Sequence, residues 1–253
     1  FPRIIGHEIT GEIVEVGSAV TGLAVGVPVT AYYYLNCGHC RWCLSGLEPL
    51  CEAGKGNVGK DCDGGYAEYT TVDARNVHSI ESPLSDAELA TFATSWATAE
   101  NMLERAVVAQ GDVVLVTGAS GGVGTALLQL VRRRRAIPVA LCNKSKANQL
   151  RAIGADAILP REPHNLPAAI DQAIGRRSGD VVADVVGGPL WPQLIDVLRA
   201  GGRYTCAGAI AGPAQPRGIG RRRIRANAER ANVPPCPGNQ LKQLANSKFA
   251  FWR

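Results

Sequence analysis

The sequence predicts an α/β chain, a doubly wound parallel sheet preceded by a smaller β-rich region, and three observations carry that expectation. From Val113 to Ala207 short apolar runs alternate with segments of helical spacing. Between Ile9 and about Val77 the apolar residues instead form short runs separated by glycine-containing turns. Finally, 253 residues with 46% hydrophobic content suffice to fill two cores.

In the first region the strand-like runs are Ile13-Val14, Val25 to Val29 and Tyr66 to Val72, interrupted by an irregular cysteine-bearing loop from Asn36 to about Cys62. Asp86 to Ala109 is rich in alanine and leucine at helical spacing, and Ser85 with Glu88 has the spacing of a capping box, so a helical segment joins the two regions. Val113–Val116 is the next strand, Gly118–Gly124 a glycine turn, and Thr125–Arg135 a helix whose basic end suits the negative end of its dipole. Strands then follow at Ile137–Leu141, Ala157–Leu159, Val181–Val186 and Tyr204–Ala207. The helices between them are Lys146–Ile153, closed by Gly154, then Leu166–Ile174 and Gln193–Leu198. The expected division is 1–84, 85–213 and 214–253. The last part is rich in arginine, proline and asparagine with no period of two or 3.6, and reads as a disordered or frameshifted tail.

The formal charge of +5 does not describe the folded part, because residues 214–253 hold nine basic side chains and one acidic one. That tail lacks interleaved aromatics, since Phe249, Phe251 and Trp252 cluster at its end, so no nucleic-acid partner is expected. No run approaches the roughly 20 apolar residues of a membrane span, and Phe1–Gly6 lacks a signal-peptide pattern. A soluble, cytoplasmic chain without a membrane partner is expected. Its sole methionine is Met102 and Ile4-Ile5 opens as though a strand had already begun, so the chain reads as truncated at its N-terminus.

The most specific chemical signal is Cys37-x2-Cys40-x2-Cys43-x7-Cys51. Four thiolates in one loop can close a tetrahedral site with metal–sulfur distances of roughly 2.3 Å, leaving no position open to water or substrate, which points to structural zinc. The competing reading is two local disulfides, disfavoured because cysteines three apart strain when paired together. His39, inside the loop, reads as a solvent-facing neighbour rather than a ligand.

Gly118-Ala119-Ser120-Gly121-Gly122-Val123-Gly124 lies between a strand and a helix, the context in which a glycine turn admits a pyrophosphate to the backbone and to the helix N-terminus. A glycine-rich turn that binds nothing is the alternative. After the following strand comes Cys142-Asn143-Lys144-Ser145-Lys146, with no acid for a ribose 2′-hydroxyl. Asn143, Lys144, Ser145 and Lys146 suit a 2′-phosphate, which favours NADP(H) over NAD(H), although two lysines at a helix start also serve as a plain solvated face. Gly6-His7-Glu8 precedes Gly11 and Gly17, and a lone histidine beside a glutamate is by itself more often structural than a metal ligand.

Taken together, Gly6-His7-Glu8, the four-cysteine lobe, Gly64-Gly65-Tyr66-Ala67-Glu68-Tyr69 and the Gly118–Gly124 turn resemble the zinc-containing medium-chain alcohol dehydrogenase family over about residues 1–213. The resemblance implies a partial GroES-like catalytic domain with a Rossmann cofactor domain and an active site in the cleft between them. It also implies hydride transfer between a nicotinamide and an alcohol, aldehyde or ketone, and pairing of subunits through the edge of the cofactor-domain sheet. Carried over, His7 would be a ligand of a catalytic zinc and Glu8 its neighbour. The segment for that site's first cysteine is not in the chain, and Thr91-Phe92-Ala93-Thr94-Ser95-Trp96 has threonine or serine where its last cysteine is expected. A neutral hydroxyl is a poor zinc ligand beside thiolate. A zinc-independent quinone or enoyl reductase, or a nucleotide-binding remnant without turnover, remain the alternatives.

Overall fold

The computed structural model describes residues 2–212. Two compact units divide these residues, the first ending at Ala97 and the second beginning at Thr98.

In the first unit the strands are β1 (Ile9–Glu12), β2 (Pro28–Ala31), β3 (Tyr34–Leu35), β4 (Gly56–Asn57) and β5 (Val77–Ser79). β1, β2 and β5 form an antiparallel sheet in that order, with Ile9 opposite Ala31 and Val29 opposite Ser79. Backbone hydrogen bonds from Ile13 to Val27 (3.1 Å) and from Gly26 to Ile13 (2.8 Å) carry the β1–β2 pairing one step further, while Val14 points to solvent at 60% exposure. Tyr66–Val72, expected as a strand, makes none. Its first N–H goes to the Ile5 carbonyl (2.9 Å), and Tyr66 and Tyr69 are more than 70% exposed. An apolar, aromatic run reads as a strand only when a ladder partner exists, and among the described residues it has none. Helix α1 (Arg41–Leu44) lies in the cysteine loop.

The expected joining helix exists but is not uniform. It comprises α2 (Asp86–Ala90), a π turn at Phe92–Trp96, and α3 (Ala97–Arg105). The capping box forms: Ser85 N–H donates to Glu88 Oε2 (2.8 Å) and Glu88 N–H to Ser85 Oγ (3.4 Å). The helix stops short of the expected Ala109, because Val107 turns left-handed (φ 49) and Val108 N–H bonds back to the Leu103 carbonyl (3.0 Å).

In the second unit β6 (Val113–Val116), β7 (Ile137–Cys142), β8 (Ala157–Pro160), β9 (Gly179–Asp184) and β10 (Leu198–Cys206) form an all-parallel sheet in the order β10-β9-β6-β7-β8. The helices are α4 (Gly122–Arg133), α5 (Ala147–Ala152), α6 (Leu166–Ile174) and α7 (Trp191–Asp196). Continuous apolar strands suit a parallel sheet covered on both faces, and all four residues of β6 are fully buried. Leu115, Val139, Leu159, Leu166, Ile170 and Leu194 belong to one core cluster between sheet and helices. Chain order reverses at β6, which has β7 on one side and β9 on the other, so a crevice is expected at the carboxyl ends of these two central strands. The helix after the glycine turn starts at Gly122, three residues before the expected Thr125, because Gly121 already serves as its N-cap.

Candidate functional site

The glycine turn sits at that reversal. Gly118 adopts φ +56, and a Cβ there would lie 2.6 Å from Val185 Cγ2. At Gly124 a Cβ would come within 2.2 Å of the Gly118 carbonyl oxygen, so this glycine lets α4 close onto the strand end. Gly121 caps α4 without a side-chain hydrogen bond, and the first turn of this 12-residue helix holds no acid. Its leading N–H groups have no intrahelical acceptor and sit at the positive end of the dipole. Ser120, Gly121 and Gly122 are exposed and Val123 is half-buried, as a phosphate cradle requires.

After β7, Asn143, Lys144, Ser145 and Lys146 are all exposed. Asn143 Oδ1 accepts from the Ser145 backbone N–H (3.2 Å) and from Ser145 Oγ (3.4 Å), starting a 3₁₀ turn over Lys144–Lys146. Two ammonium groups are thus presented beside a hydroxyl, with no acid on the turn.

The four cysteines converge. Their sulfurs all lie within 4.8 Å of one another, and this is the one group of three or more metal-capable side chains among the described residues. All four are free thiols, so the disulfide alternative is not realised. Backbone N–H groups already point at sulfur: Cys37 N–H donates to Cys51 Sγ and Cys40 N–H to Cys37 Sγ, both at 3.3 Å. The Cys43 N–H and neighbouring donors pull Cys40 down to about 6, whereas burial first, and then hydrogen bonding with the other three thiols, pushes Cys43 up to about 12. The loop is held by Asn76, whose side-chain N–H groups reach the Tyr32 (2.9 Å) and Tyr34 (2.6 Å) carbonyls, and by Glu52, which accepts from Arg41 Nε and Trp42 Nε1 (both 3.0 Å). His39 is exposed and donates to the Cys37 carbonyl (2.9 Å), outside the quartet.

Glycines also place Gly6-His7-Glu8. Gly6 has φ +101 and faces the Tyr66 ring, while Cβ atoms at Gly59 and Gly64 would come within 2.3 and 2.1 Å of its carbonyl oxygen. The Gly65 N–H donates to that oxygen at 3.0 Å. The motifs Gly6-His7-Glu8 and Gly64-Gly65-Tyr66 are therefore two halves of one packed junction. His7 and Glu8 are exposed; the His7 ring leans on Tyr33 at 5.1 Å. Ser95 Oγ donates to Glu8 Oε1 (3.3 Å), and Thr94 Oγ1 is buried without a hydrogen-bond partner. Both hydroxyls belong to the π turn, where Trp96 N–H reaches back five residues to Thr91 (3.2 Å). Among the described residues His7 and Glu8 join no group of three or more metal-capable side chains, and the neighbouring hydroxyls of Thr94 and Ser95 are poor zinc ligands beside thiolate.

Sequence reading missed Thr117, Asp184 and Tyr204, which converge at the same carboxyl edge as the glycine turn. A lone acid closing the apolar run Val181-Val182-Ala183 was their one available signal.

Comparison with known proteins agrees with this geometry. Residues 1–82 match the family described as alcohol dehydrogenase GroES-like domain, and residues 122–228 the family described as zinc-binding dehydrogenase. The chain belongs to the medium-chain dehydrogenase/reductase family. It is 29% identical to an acryloyl-coenzyme A reductase of Metallosphaera sedula, over 83% of this chain and 61% of that protein. With an L-threonine 3-dehydrogenase of Rhizobium etli it shares 33% identity over 82% of this chain and 60% of the relative. A solved structure of a cobalt- and zinc-bound thermostable alcohol dehydrogenase from Pyrobaculum aerophilum superimposes with a TM-score of 0.73 at 37% identity, over 82% of this chain and 61% of that one. The chain thus spans about three fifths of the length of the curated relatives it matches. Among the described residues no helix is long and apolar enough to cross a membrane. The basic tail over 214–253 lies outside the described residues.

Proposed function

We propose that this chain is the zinc-lobe and cofactor-binding part of an NAD(P)-dependent oxidoreductase of the alcohol dehydrogenase type. The reaction moves a hydride between the nicotinamide and the carbon of an alcohol, aldehyde or ketone, with a proton exchanged at the substrate oxygen. The observation that carries the reading is the glycine turn at the order reversal of a parallel sheet, with α4 presenting its N-terminus there. Cys37, Cys40, Cys43 and Cys51 hold a structural zinc, which supplies fold and no chemistry because four thiolates close its coordination. Gly118, Ser120, Gly121, Gly122, Val123 and Gly124 cradle the pyrophosphate. Lys144 and Lys146, with Asn143 and Ser145, meet a 2′-phosphate, so NADP(H) is preferred over NAD(H). His7 and Glu8 stand as the catalytic candidates, and the cysteines among the described residues, all free thiols, suit a reducing, cytoplasmic setting.

A second reading, a zinc-independent quinone or enoyl reductase of the same family, is favoured by the π turn. There Thr94 and Ser95 stand where a thiolate ligand was expected, and Ser95 already engages Glu8. The likeness to a reductase of an acyl-coenzyme A substrate supports the same direction. Atomic emission on the purified chain, with NADPH and NADH titrated into the same sample, separates the two. One zinc per chain with tight NADPH binding fits the reductase; two zincs fit the alcohol dehydrogenase. Binding of neither dinucleotide would overturn both.

A further inference from the structure

We propose that Asp184 is a positioning residue for the dinucleotide, fixing the first glycine of the phosphate turn through Thr117 and Tyr204. The inference rests on the dinucleotide reading above. Asp184 is the last residue of β9 and is 0% exposed. A carboxylate in such a place is costly unless its lone pairs are filled, and here they are filled entirely by neutral donors. Oδ1 accepts from Thr117 Oγ1 (2.5 Å), the Val186 N–H (2.9 Å) and the Gly187 N–H (3.0 Å), while Oδ2 accepts from the Tyr204 hydroxyl (2.6 Å).

The donors come from three neighbouring strand ends. Thr117 follows β6, Val186 and Gly187 follow β9, and Tyr204 lies in β10. While its hydroxyl donates to Asp184, Thr117 Oγ1 accepts from the Val185 N–H (3.0 Å), so Thr117 is tied to the β9 end on both sides. The next residue is Gly118, whose left-handed turn leaves only the room that Val185 permits. Burial, and then the hydrogen bond and charge of Asp184, hold the Tyr204 hydroxyl far above its ordinary range, so it stays a donor at every physiological pH. Backbone bonds from Ala207 to Asp184 (3.0 Å) and from Ala211 to Val186 (3.0 Å) fasten the loop after β10 to the same point. An apolar side chain could have filled this volume at lower cost. What the carboxylate adds is a fixed distance between the glycine turn and the facing loop, and a cradle of backbone N–H groups loses affinity when displaced by a fraction of an ångström.

The test uses the full chain, with NADPH and NADH titrated by fluorescence and a melting temperature recorded on each sample. Thr117→Val and Tyr204→Phe are expected to weaken dinucleotide binding roughly tenfold with melting temperatures within a few degrees of the parent. Asp184→Asn is expected to stay within about threefold of the parent, because the amide oxygen keeps the Oδ1 acceptor role and its nitrogen can donate to Tyr204. Unchanged affinity in Thr117→Val and Tyr204→Phe overturns the proposal, as does an affinity loss that merely follows the melting temperature across all three variants. If the parent chain binds neither dinucleotide, the functional reading falls and this proposal with it; if the parent binds and the variants match it, only the role of Asp184 is lost.

Discussion

Between Cys37 and Cys51 no side chain is fully buried, whereas all four residues of β6 are inaccessible to solvent. The two regions are ordered by different physics. Around β6, apolar burial on both faces of the sheet supplies the driving force, at roughly 25 cal/mol per Å² removed from water. The cysteine lobe has a four-residue helix, a two-stranded ladder and surface hydrogen bonds, which together cannot offset the entropy of ordering a loop of that length. Its sulfurs converge on a point where a cation would sit, so its order depends on a ligand that the sheet does not need.

The largest expected break in this contrast comes from removing the metal. Structural zinc in small domains carries on the order of 10 kcal/mol of folding free energy. Chelation, or Cys43→Ser, is expected to open the stretch around Cys37–Cys62 to limited proteolysis while the sheet unit stays resistant. A lobe that remains protected with no zinc bound would erase the distinction. Next in size, Leu115→Ala in the buried centre of β6 should cost about 3 kcal/mol in denaturant unfolding. Leu44→Ala, at 76% exposure in the lobe helix, should stay within about 0.5 kcal/mol.

A smaller effect should be read by pH. Burial alone would raise Asp180, but the Val113 N–H (2.8 Å), the Arg199 guanidinium and the charge of Arg176 outweigh it and hold the carboxyl below its ordinary value. A depressed carboxyl stabilises the folded form above its unfolded pKa of about 4, and that contribution fades as pH falls through the folded value. Asp180→Asn should therefore lower stability at pH 7 and flatten the acid limb, measured as melting temperature from pH 7 to pH 3. An unchanged acid limb would assign the loss to other carboxylates. One further modest change has the opposite sign. Val107 is β-branched yet left-handed at the end of α3, so Val107→Gly should raise stability by up to about 1 kcal/mol.

Legibility in the sequence followed the range of the interaction. The cysteine quartet, the capping box and the 166–174 helix depend on residues close in the chain, and spacing alone locates them. Tyr66–Val72 misled because composition reports strand-forming residues without reporting a partner. The junction of Gly6 with Gly59 and Gly64 is a contact across more than fifty residues, visible in the sequence only as separate glycines. Asp184 escaped notice for a related reason: the expected strand ran on to Val186 and took it in as one polar position, and only the fold brings Thr117 and Tyr204 to its oxygens.

The π turn at Phe92–Trp96 makes chain length itself a variable of this molecule. Each residue of an α-helix advances its neighbours by about 100° around the axis, so a helix that has absorbed one extra residue carries everything after it on a shifted face. Phe92 and Trp96 stack at 5.3 Å across the widened turn. Excising a single residue there would let the helix wind regularly and swing Ser95 away from Glu8, with no change in the chemical identity of either side chain.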